Sequence, residues 1–222
     1  MILLTGNSNI EFAKCVAKTM KTELCGVNIS KFSNGEIQVE GIQESLRGET
    51  VYLIHSPGNN INEELMEILI LANAAKYAGS DHICLVSTCY PYARQDKKLA
   101  SREPITARLM ADLYNSAGIS TVISLELHNA AIQGFHTGPT DNLSTLPIFT
   151  AFIKHKLMDN PDNYVVVSPD AGGAKRATEL SRRLGTGAAI LHKERKKASE
   201  ISEMRLLGDV KDLHAIMIDD MA

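Results

Sequence analysis

Short apolar segments alternate with amphipathic segments along the chain, and this alternation constrains the fold more than any other feature. The apolar segments have the length of β-strands, whereas the segments between them carry apolar residues at helical spacing. Continuous apolar strands between amphipathic helices predict an α/β fold with mainly parallel sheets covered by helices on both faces. The predicted strands are ILLTG, TVYLIHS, HICLVSTCY, STVISLELH, NYVVVSPD, AAILH and HAIMIDD.

The helices are predicted from their caps and their apolar stripes. An asparagine within 7–9 caps the first helix, Asn62 caps the second, and Pro104 opens the third. A fourth helix is predicted over about 149–158, and a fifth begins in GGAKRATELSRRLG. The residues expected to face the sheet are Phe12, Val16 and Met20, then Leu65, Ile68, Leu69 and Ala72, then Ile105, Leu109 and Leu113.

A stretch rich in Pro, Asn and Asp around 137–147 interrupts the alternation, which then starts again. This predicts two domains, an N-terminal domain over 1–146 and a partial C-terminal domain over 147–222. A chain of 222 residues is long enough for one large or two modest hydrophobic cores.

The composition narrows the class of protein. Apolar residues make up 44% of the chain and charged residues 22%, which is typical of a globular enzyme. A net charge of −3 predicts no general affinity for nucleic acid or membranes. The beginning of the chain does not have the pattern of a signal peptide. The four cysteines lack metal-type spacing and are expected to be buried, reduced thiols in a cytoplasmic protein.

Polar residues at the ends of predicted strands are the candidate site residues, because ligands of parallel sheets bind beyond the carboxyl ends of the strands. Asp170 ends one strand and is followed by two glycines and by Lys175 and Arg176, which open a helix. Glycines allow backbone N–H groups to approach an anion at a helix N-terminus. The spacing is not that of GxxxxGK[ST], and an ordinary strand-to-helix turn explains the glycines equally well.

Two basic runs follow predicted strands, YARQDKK at 92–98 and HKERKK at 192–197. Lysine and arginine at such positions can neutralise the charge that develops on a phosphoryl group during its transfer. A solvated loop is the alternative for each run. Because the protein is acidic overall, the two runs together indicate a small polyanionic ligand.

Acidic residues and one histidine end further strands. Asp219 and Asp220 follow HAIMI, and His128 follows VISLEL. Carboxylates near phosphate usually hold Mg²⁺ or accept hydrogen bonds from sugar hydroxyls. Adjacent residues of a strand point to opposite faces, so one of the two aspartates is expected to reach a ligand and the other to brace the loop. For His128, a backbone hydrogen bond without a ligand is the alternative.

The stretch FSNGEIQVE reads as a turn followed by a strand. Phe32 has a ring that can stack on a base, and Asn34 and Glu36 can form hydrogen bonds with a base edge or a ribose. A hairpin turn without a ligand is the alternative.

These stretches together resemble one enzyme family. KFSNGEIQVE, YPYARQDKK, LHNAAIQGF, PTDNL, VVSPDAGGAKRA, HKERKK, GDVK and IDDMA occur in the order seen in ribose-phosphate pyrophosphokinases, also called PRPP synthetases. The resemblance implies two phosphoribosyltransferase-like domains in a homo-oligomer, a hexamer. It also implies transfer of the β,γ-pyrophosphoryl group of ATP to the 1-hydroxyl of ribose 5-phosphate, with Mg²⁺ as cofactor.

The resemblance also implies roles for single residues. ATP would be held by Phe32, Asn34, Gly35, Glu36, Arg94 and Gln95, in part across a subunit boundary. Mg²⁺ would be bound by His128 and Asp170. Lys193 and Arg195, on a flexible loop, would stabilise the transition state. Asp219 and Asp220 would begin the loop that binds ribose 5-phosphate.

The sequence departs from the family pattern in two respects. Glu126 stands where relatives often have Asp, and Thr137 stands where some relatives have Asp. The chain also ends at Ala222 within a motif that continues in the family, so a truncated or partial enzyme is expected. One alternative is a shortened, non-catalytic paralogue that regulates full-length subunits, although retention of Lys193 and Asp170 argues against it. An ordinary phosphoribosyltransferase is the last alternative, but it has no use for FSNGE or YARQDKK.

Overall fold

The computed structural model describes residues 1–197 and 200–220, with the side chains of 193–197 and 200–203 outside the description. The chain forms two compact units, unit 1 over Met1–Leu143 and unit 2 over Ser144–Ala222. The boundary predicted from the sequence, between 146 and 147, falls three residues later.

Unit 1 contains a parallel sheet of five strands and three α-helices. The sheet has the strand order β1-β4-β5-β6-β7, and each pair of neighbours is parallel. A separate antiparallel hairpin joins β2 and β3. The strands are β1 (Ile2–Thr5), β2 (Asn28–Lys31), β3 (Ile37–Glu40), β4 (Thr50–His55), β5 (His82–Ser87), β6 (Thr121–Leu125) and β7 (Thr140–Leu143). The helices are α1 (Ile10–Met20), α2 (Ile61–Tyr77) and α3 (Thr106–Ala117).

Helices cover both faces of this sheet, as the sequence predicts. Leu3 and Ile54 pack with Ala13 of α1 on one face. Leu4 and Leu53 are the neighbours of Leu3 and Ile54 on the same strands. They pack in the larger core with residues of α2 and α3. Since successive side chains of a strand point to opposite faces, the uninterrupted apolar runs supply both layers.

The predicted apolar stripe is confirmed for α2 but is wrong in part for α1 and α3. In α2, Leu65, Ile68 and Ala72 are buried, and Leu69 packs against the same core. In α1 and α3 the fully buried positions are mainly small residues, whereas three predicted members, Met20, Ile105 and Leu109, are exposed. Small side chains allow a helix to lie close to the sheet, so the larger residues beside them remain at the rim.

The predicted helix caps differ in detail. Asn9 caps α1, where its side chain accepts a hydrogen bond from the N–H of Phe12 at 3.0 Å. The cap position of α2 is Asn60 and not Asn62, which lies inside the helix and accepts a hydrogen bond from the hydroxyl of Tyr92. Pro104 precedes α3, which begins at Thr106.

Unit 2 contains a mixed sheet of four strands with the order β10-β9-β8-β11. The strands are β8 (Tyr164–Ser168), β9 (Gly187–Lys197), β10 (Glu200–Leu207) and β11 (His214–Met217), and the helices are α4 (Leu146–Lys156) and α5 (Ala174–Leu184). The β8–β9 and β8–β11 pairs are parallel, and β9–β10 is antiparallel. Helices pack on one face of this sheet, whereas Val210 and Leu213, from the segment before β11, pack on the other.

The basic run at 192–197 is not a loop beyond a short strand. It continues β9 as far as Lys197 and pairs with β10, which the sequence analysis did not predict. Lys193 lies opposite Met204 and Arg195 opposite Ile201 in this ribbon. The prediction failed because an antiparallel ribbon is held by backbone hydrogen bonds and does not need an apolar sequence.

In the part of the chain that the structure describes, no helix combines the length and the apolar character that crossing a membrane requires. Cys25 and Cys84 are buried and Cys89 is half-buried, but Cys15 is exposed on α1. The expectation that all four thiols are buried is therefore wrong for Cys15.

A buried histidine lies at the end of β4. His55 is 1% exposed, and its Nδ1 lies 3.5 Å from the hydroxyl oxygen of Ser8. Its Nε2 has no hydrogen-bond partner among the described residues. Burial lowers the pKa of His55 from 6.5 to about 4. The histidine of the unfolded chain takes up a proton at a higher pH than the buried histidine does. The free energy of unfolding therefore falls as the pH drops from about 6.5 towards about 4.

The substitution His55→Gln should remove this sensitivity to acid, because glutamine takes up no proton. Between about pH 7.5 and about pH 5, the unaltered chain should lose about 2 kcal/mol more of its free energy of unfolding than the variant loses. Urea denaturation at both pH values measures the difference. The control His155→Gln removes an exposed histidine of α4. An identical pH dependence for the unaltered chain and His55→Gln would contradict the assignment.

Candidate functional site

A tight turn connects β2 to β3 and presents the first group of predicted ATP-binding residues. The N–H of Phe32 donates to the carbonyl of Glu36, and the N–H of Gly35 donates to the carbonyl of Phe32, both at 2.9 Å. Asn34 Oδ1 accepts a hydrogen bond from the N–H of Glu36 at 3.2 Å. Gly35 has a φ of 90°, a conformation that favours glycine. The turn is therefore ordered by its own backbone.

The tip of this turn exposes the side chains that a nucleotide could contact. Phe32 is 50% exposed in a turn that is otherwise polar. Asn34 and Glu36 are exposed beside it. An exposed ring next to an amide and a carboxylate can stack on a base and form hydrogen bonds with its edge or its ribose.

The second group follows β5. Tyr90 and Ala93 are buried and anchor the segment, while Arg94 and Gln95 between the anchor and α3 are exposed. The N–H of Gln95 donates to the carbonyl of Tyr92 at 2.9 Å, and the carbonyl of Gln95 accepts from the first turn of α3 at 3.1 Å. The backbone is thus fixed on both sides of two exposed polar side chains.

The third group follows β6. Glu126 has a φ of 45°, in the left-handed region, and turns the chain away from the strand. The next residue, Leu127, is buried, and its N–H donates to Asn142 Oδ1 at 2.9 Å. His128 is exposed, three residues beyond the end of β6.

The second and third groups meet at one edge of the sheet of unit 1. Because β5 and β6 are parallel neighbours, the segments that follow them leave the sheet at the same edge. Asn129 Nδ2 donates a hydrogen bond to Asp96 Oδ2 at 2.5 Å and joins the two segments directly. We call Arg94, Gln95, Asp96, His128 and Asn129 the unit 1 edge.

In unit 2, Asp170 lies between the end of β8 and the start of α5. Its Oδ1 accepts a hydrogen bond from the N–H of Gly173 at 2.9 Å, and its carbonyl accepts one from the hydroxyl of Ser168 at 2.7 Å. A Cβ at position 173 would lie 2.7 Å from the Ser168 hydroxyl oxygen, so the turn requires glycine there. The Gly173 N–H thus binds the Asp170 carboxylate and is not left for an external anion.

The two aspartates after β11 lie at the same edge, because β11 is the parallel neighbour of β8. Arg176 of α5 contacts both of them, with Nη1 at 3.3 Å from Asp220 Oδ1 and 3.7 Å from Asp219 Oδ1. The expectation that the two side chains point in opposite directions is wrong, because the strand ends at Met217 and the alternation ends with it.

The electrostatics of this cluster favour a cationic or hydroxyl-rich ligand. Partial burial, followed by the nearby carboxylates of Asp220 and Asp170, raises the pKa of Asp219. Arg176 contacts the carboxylates of Asp219 and Asp220, and the carboxylate of Asp170 lies close enough to affect the pKa of Asp219. We call Asp170, Arg176, Asp219 and Asp220 the unit 2 edge. It is suited to accepting hydrogen bonds from sugar hydroxyls and to binding a divalent cation.

The residues predicted to bind magnesium fit that ion in part. Asp170 is exposed and provides the oxygen ligands that Mg²⁺ prefers. Asp170 belongs to unit 2 and His128 to unit 1. Within the described residues, His, Cys, Asp and Glu form no group of three or more that could hold a metal ion. Mg²⁺ commonly keeps several waters and uses few protein ligands, so Asp170 alone is compatible with it.

The predicted catalytic residues Lys193 and Arg195 lie on β9, and their side chains are outside the described part of the structure. The structure brings Arg94 and Gln95 together with His128, and Asp170 together with Asp219 and Asp220. Sequence reasoning did not single out Asp96 or Asn129, and it named Arg176 only as a residue that opens a helix. All three lie within the motifs that had been quoted, but their contacts join segments that are far apart in the chain.

The substitution Arg176→Gln should destabilise unit 2, because it removes a guanidinium that contacts two partly buried carboxylates. We expect a loss of about 1–3 kcal/mol near neutral pH and a smaller loss near pH 5, where carboxylates begin to take up protons. Chemical denaturation at both pH values measures the loss. The control Arg183→Gln removes an exposed ion pair with Glu179 and should cost less than about 1 kcal/mol. Equal losses in both variants would show that Arg176 is an ordinary surface residue.

The sequence and the structure are similar to those of known proteins. A family model for the N-terminal domain of ribose phosphate pyrophosphokinase matches residues 1–118. The chain is 46% identical over 220 residues to ribose-phosphate pyrophosphokinase 2 of Schizosaccharomyces pombe, covering 99% of this chain and 68% of that protein. The crystal structure of phosphoribosylpyrophosphate synthetase from Mycobacterium smegmatis matches with a TM-score of 0.90 and 37% identity, covering 98% of this chain and 70% of that one. The chain therefore belongs to the ribose-phosphate pyrophosphokinase, or PRPP synthetase, family.

Proposed function

We propose that this chain is a ribose-phosphate diphosphokinase that makes PRPP and AMP from ATP and ribose 5-phosphate. The observation that carries the proposal is the 46% identity to a named ribose-phosphate pyrophosphokinase, which extends over 220 residues and therefore over both units. The relatives are named as enzymes, and this does not favour the alternative of a non-catalytic regulatory paralogue.

In the proposed reaction, the 1-hydroxyl oxygen of ribose 5-phosphate attacks the β-phosphorus of ATP. The new bond joins this oxygen to the β-phosphorus, the bond from the β-phosphorus to the oxygen of AMP breaks, and the hydroxyl proton leaves. Such a transfer depends mainly on the positioning of the two substrates and on stabilisation of negative charge. The protein therefore needs one site for each substrate and cations between them.

The turn at 32–36, together with Arg94 and Gln95, is proposed to hold ATP. The exposed ring of Phe32 supports this role because it offers a stacking surface for the base. Arg94 and Gln95 support it because they are exposed on a backbone that is fixed on both sides. The family resemblance implies a homo-oligomer, a hexamer, in which ATP is shared between subunits, and light scattering of the purified chain tests this. A cytoplasmic location remains a prediction.

Asp219 and Asp220 are proposed to bind the hydroxyl groups of ribose 5-phosphate. Their contact with Arg176 supports this role, because the guanidinium holds two acidic side chains at the carboxyl end of a parallel strand. A carboxylate pair that is already fixed binds hydroxyl groups at a lower entropic cost than a mobile pair.

His128 and Asp170 are the residues proposed to hold Mg²⁺. Bound magnesium would neutralise charge on the phosphoryl oxygens of ATP. Asp170 keeps its orientation through the hydrogen bond from Gly173, so a cation would meet a carboxylate that is already positioned. Lys193 and Arg195 are proposed to stabilise the charge that develops during transfer.

The direct test of the proposal is an assay for AMP formed from ATP and ribose 5-phosphate in the presence of Mg²⁺. AMP and PRPP should appear in equal amounts, and AMP formation should require all three components. Release of phosphate from ATP in the absence of ribose 5-phosphate, with no PRPP formed, would contradict the assignment.

The substitution Lys193→Ala should lower turnover far more than it lowers ATP binding, because charge stabilisation in the transition state is lost. We expect kcat to fall by about 100-fold or more while the KM for ATP changes by less than about threefold. Steady-state kinetics measure both constants. The control Lys154→Ala removes an exposed lysine of α4 and should leave kcat unchanged. Unchanged turnover in Lys193→Ala would remove this residue from the mechanism.

The substitution Asp170→Asn should raise the Mg²⁺ concentration needed for half-maximal activity by about tenfold or more. Asparagine retains the oxygen that accepts the hydrogen bond from Gly173, so the start of α5 is preserved and only the negative charge is lost. Titration of activity with Mg²⁺ measures the shift. The control Asp162→Asn, at an exposed position before β8, should titrate like the unaltered chain. If Asp170→Asn needs no more Mg²⁺ than the unaltered chain, Asp170 does not bind the metal.

A further inference from the structure

Asn129 forms two hydrogen bonds with different functions. Its Oδ1 accepts from the N–H of Ala131 at 3.0 Å and caps the short 3-10 helix Ala130–Gly134. Its Nδ2 donates to the carboxylate of Asp96 at 2.5 Å. The cap fixes the side chain relative to its own segment, so the amide group is oriented before it reaches across to the segment after β5.

The segment around Asn129 is anchored on both sides. Leu127 and Ile132 are buried in the core of unit 1, and Leu127 is held in addition by its hydrogen bond to Asn142. His128, between these anchors, is exposed. The position of His128 is therefore determined by a short stretch of backbone that Asn129 ties to the rest of the edge.

The segment that contains Asp96 has its buried anchors before Asp96, and the carbonyl of Gln95 also accepts a hydrogen bond from the N–H of Ala107 in α3. Tyr90 and Ala93 are buried, and the N–H of Gln95 donates to the carbonyl of Tyr92. Residues 97–103 beyond Asp96 are exposed. Asn129 therefore binds Asp96, which directly follows Gln95 and lies beyond the buried anchors.

We infer that Asn129 is a positioning residue for nucleotide binding, which holds the Arg94–Gln95 segment in register with His128 through Asp96. This inference deepens the proposed function and rests on it, because Arg94, Gln95 and His128 are proposed ligands of the Mg²⁺–ATP complex. A hydrogen bond between an amide and a carboxylate is strong enough for this role, since one charged partner makes it about twice as strong as a neutral pair.

The decisive experiment exchanges the two partners. Asn129→Asp retains the oxygen that caps the 3-10 helix but places a second carboxylate against Asp96. Asp96→Asn retains an oxygen that can accept from Asn129. The double variant Asn129→Asp/Asp96→Asn restores an amide–carboxylate pair with the donor on the opposite segment. Binding of a non-hydrolysable ATP analogue with Mg²⁺ is measured by calorimetry for the full chain and each variant.

Affinity for the analogue should fall by about tenfold or more in Asn129→Asp and return to within about threefold in the double variant. Asp96→Asn alone leaves only a neutral amide–amide pair, so affinity should fall, but by less than in Asn129→Asp. Hydrogen exchange of the peptide over 93–98 should increase in Asn129→Asp and recover in the double variant. A substitution that only weakened the local fold would show no such recovery.

A matched control is present in unit 2. Asn160 caps the 3-10 helix Pro161–Asn163 in the same way, with its side chain accepting from the N–H of Asp162 at 3.2 Å. Its backbone conformation, φ −128° and ψ 122°, is close to that of Asn129, φ −137° and ψ 126°. Asn160→Asp should leave analogue binding unchanged, which separates the bridge to Asp96 from the cap.

Two failures are distinguishable. If the unaltered chain and Asn129→Asp bind the analogue equally well, or if the double variant remains as weak as Asn129→Asp, the inference is overturned and the proposed function stands. If the unaltered chain binds neither the analogue nor ATP, the proposed function is overturned and the inference is lost with it.

Discussion

Parallel pairing of β-strands is the interaction on which both candidate edges depend. β5 ends at Ser87 and β6 ends at Leu125, yet the segments that follow them leave the sheet side by side because the strands run in the same direction. The same is true of β8 and β11, which bring Asp170 close enough to Asp219 for its negative charge to help raise the pKa of Asp219. Neither group of side chains would meet if either strand were reversed.

Each edge then fixes its polar side chains with local contacts. In unit 1 the fixing is done by neutral groups, namely backbone hydrogen bonds and the amide of Asn129. In unit 2 it is done by the guanidinium of Arg176 and by the backbone N–H of Gly173, directly before α5. The difference agrees with the ligands proposed for the two edges. Arg94 is exposed and can interact with phosphate, and the neighbouring carboxylates of unit 2 suit hydroxyl groups and a cation.

Most of the fold could be predicted from the sequence, because buried parallel strands have an uninterrupted apolar pattern. The prediction held for β1, β4, β5, β6 and β8, and for the stripe of α2. It failed where apolar burial does not determine the structure. The β9–β10 ribbon contains many charged residues, and α1 and α3 use small residues to approach the sheet.

The candidate site could be predicted as a set of residues but not as a set of contacts. Strand ends and motif resemblance were sufficient to nominate Arg94, His128 and Asp170. They were not sufficient to predict the contacts of Asn129 and Arg176, because the partners of these residues lie 33 and 44 positions away. A pattern read along the chain records spacing within one segment, whereas these contacts depend on the order of strands in the sheet.

The hydrogen bond between Asp170 and Gly173 links ligand binding to the stability of a helix. One oxygen of this carboxylate already accepts from the N–H of Gly173, the cap residue directly before α5, so the same group that would meet a cation also holds the start of the helix that carries Arg176. Any ligand that binds the folded arrangement more strongly than the unfolded chain must raise the melting temperature of that helix and its sheet. The concentration of substrate would then affect how long the protein stays folded as well as how fast it catalyses the reaction.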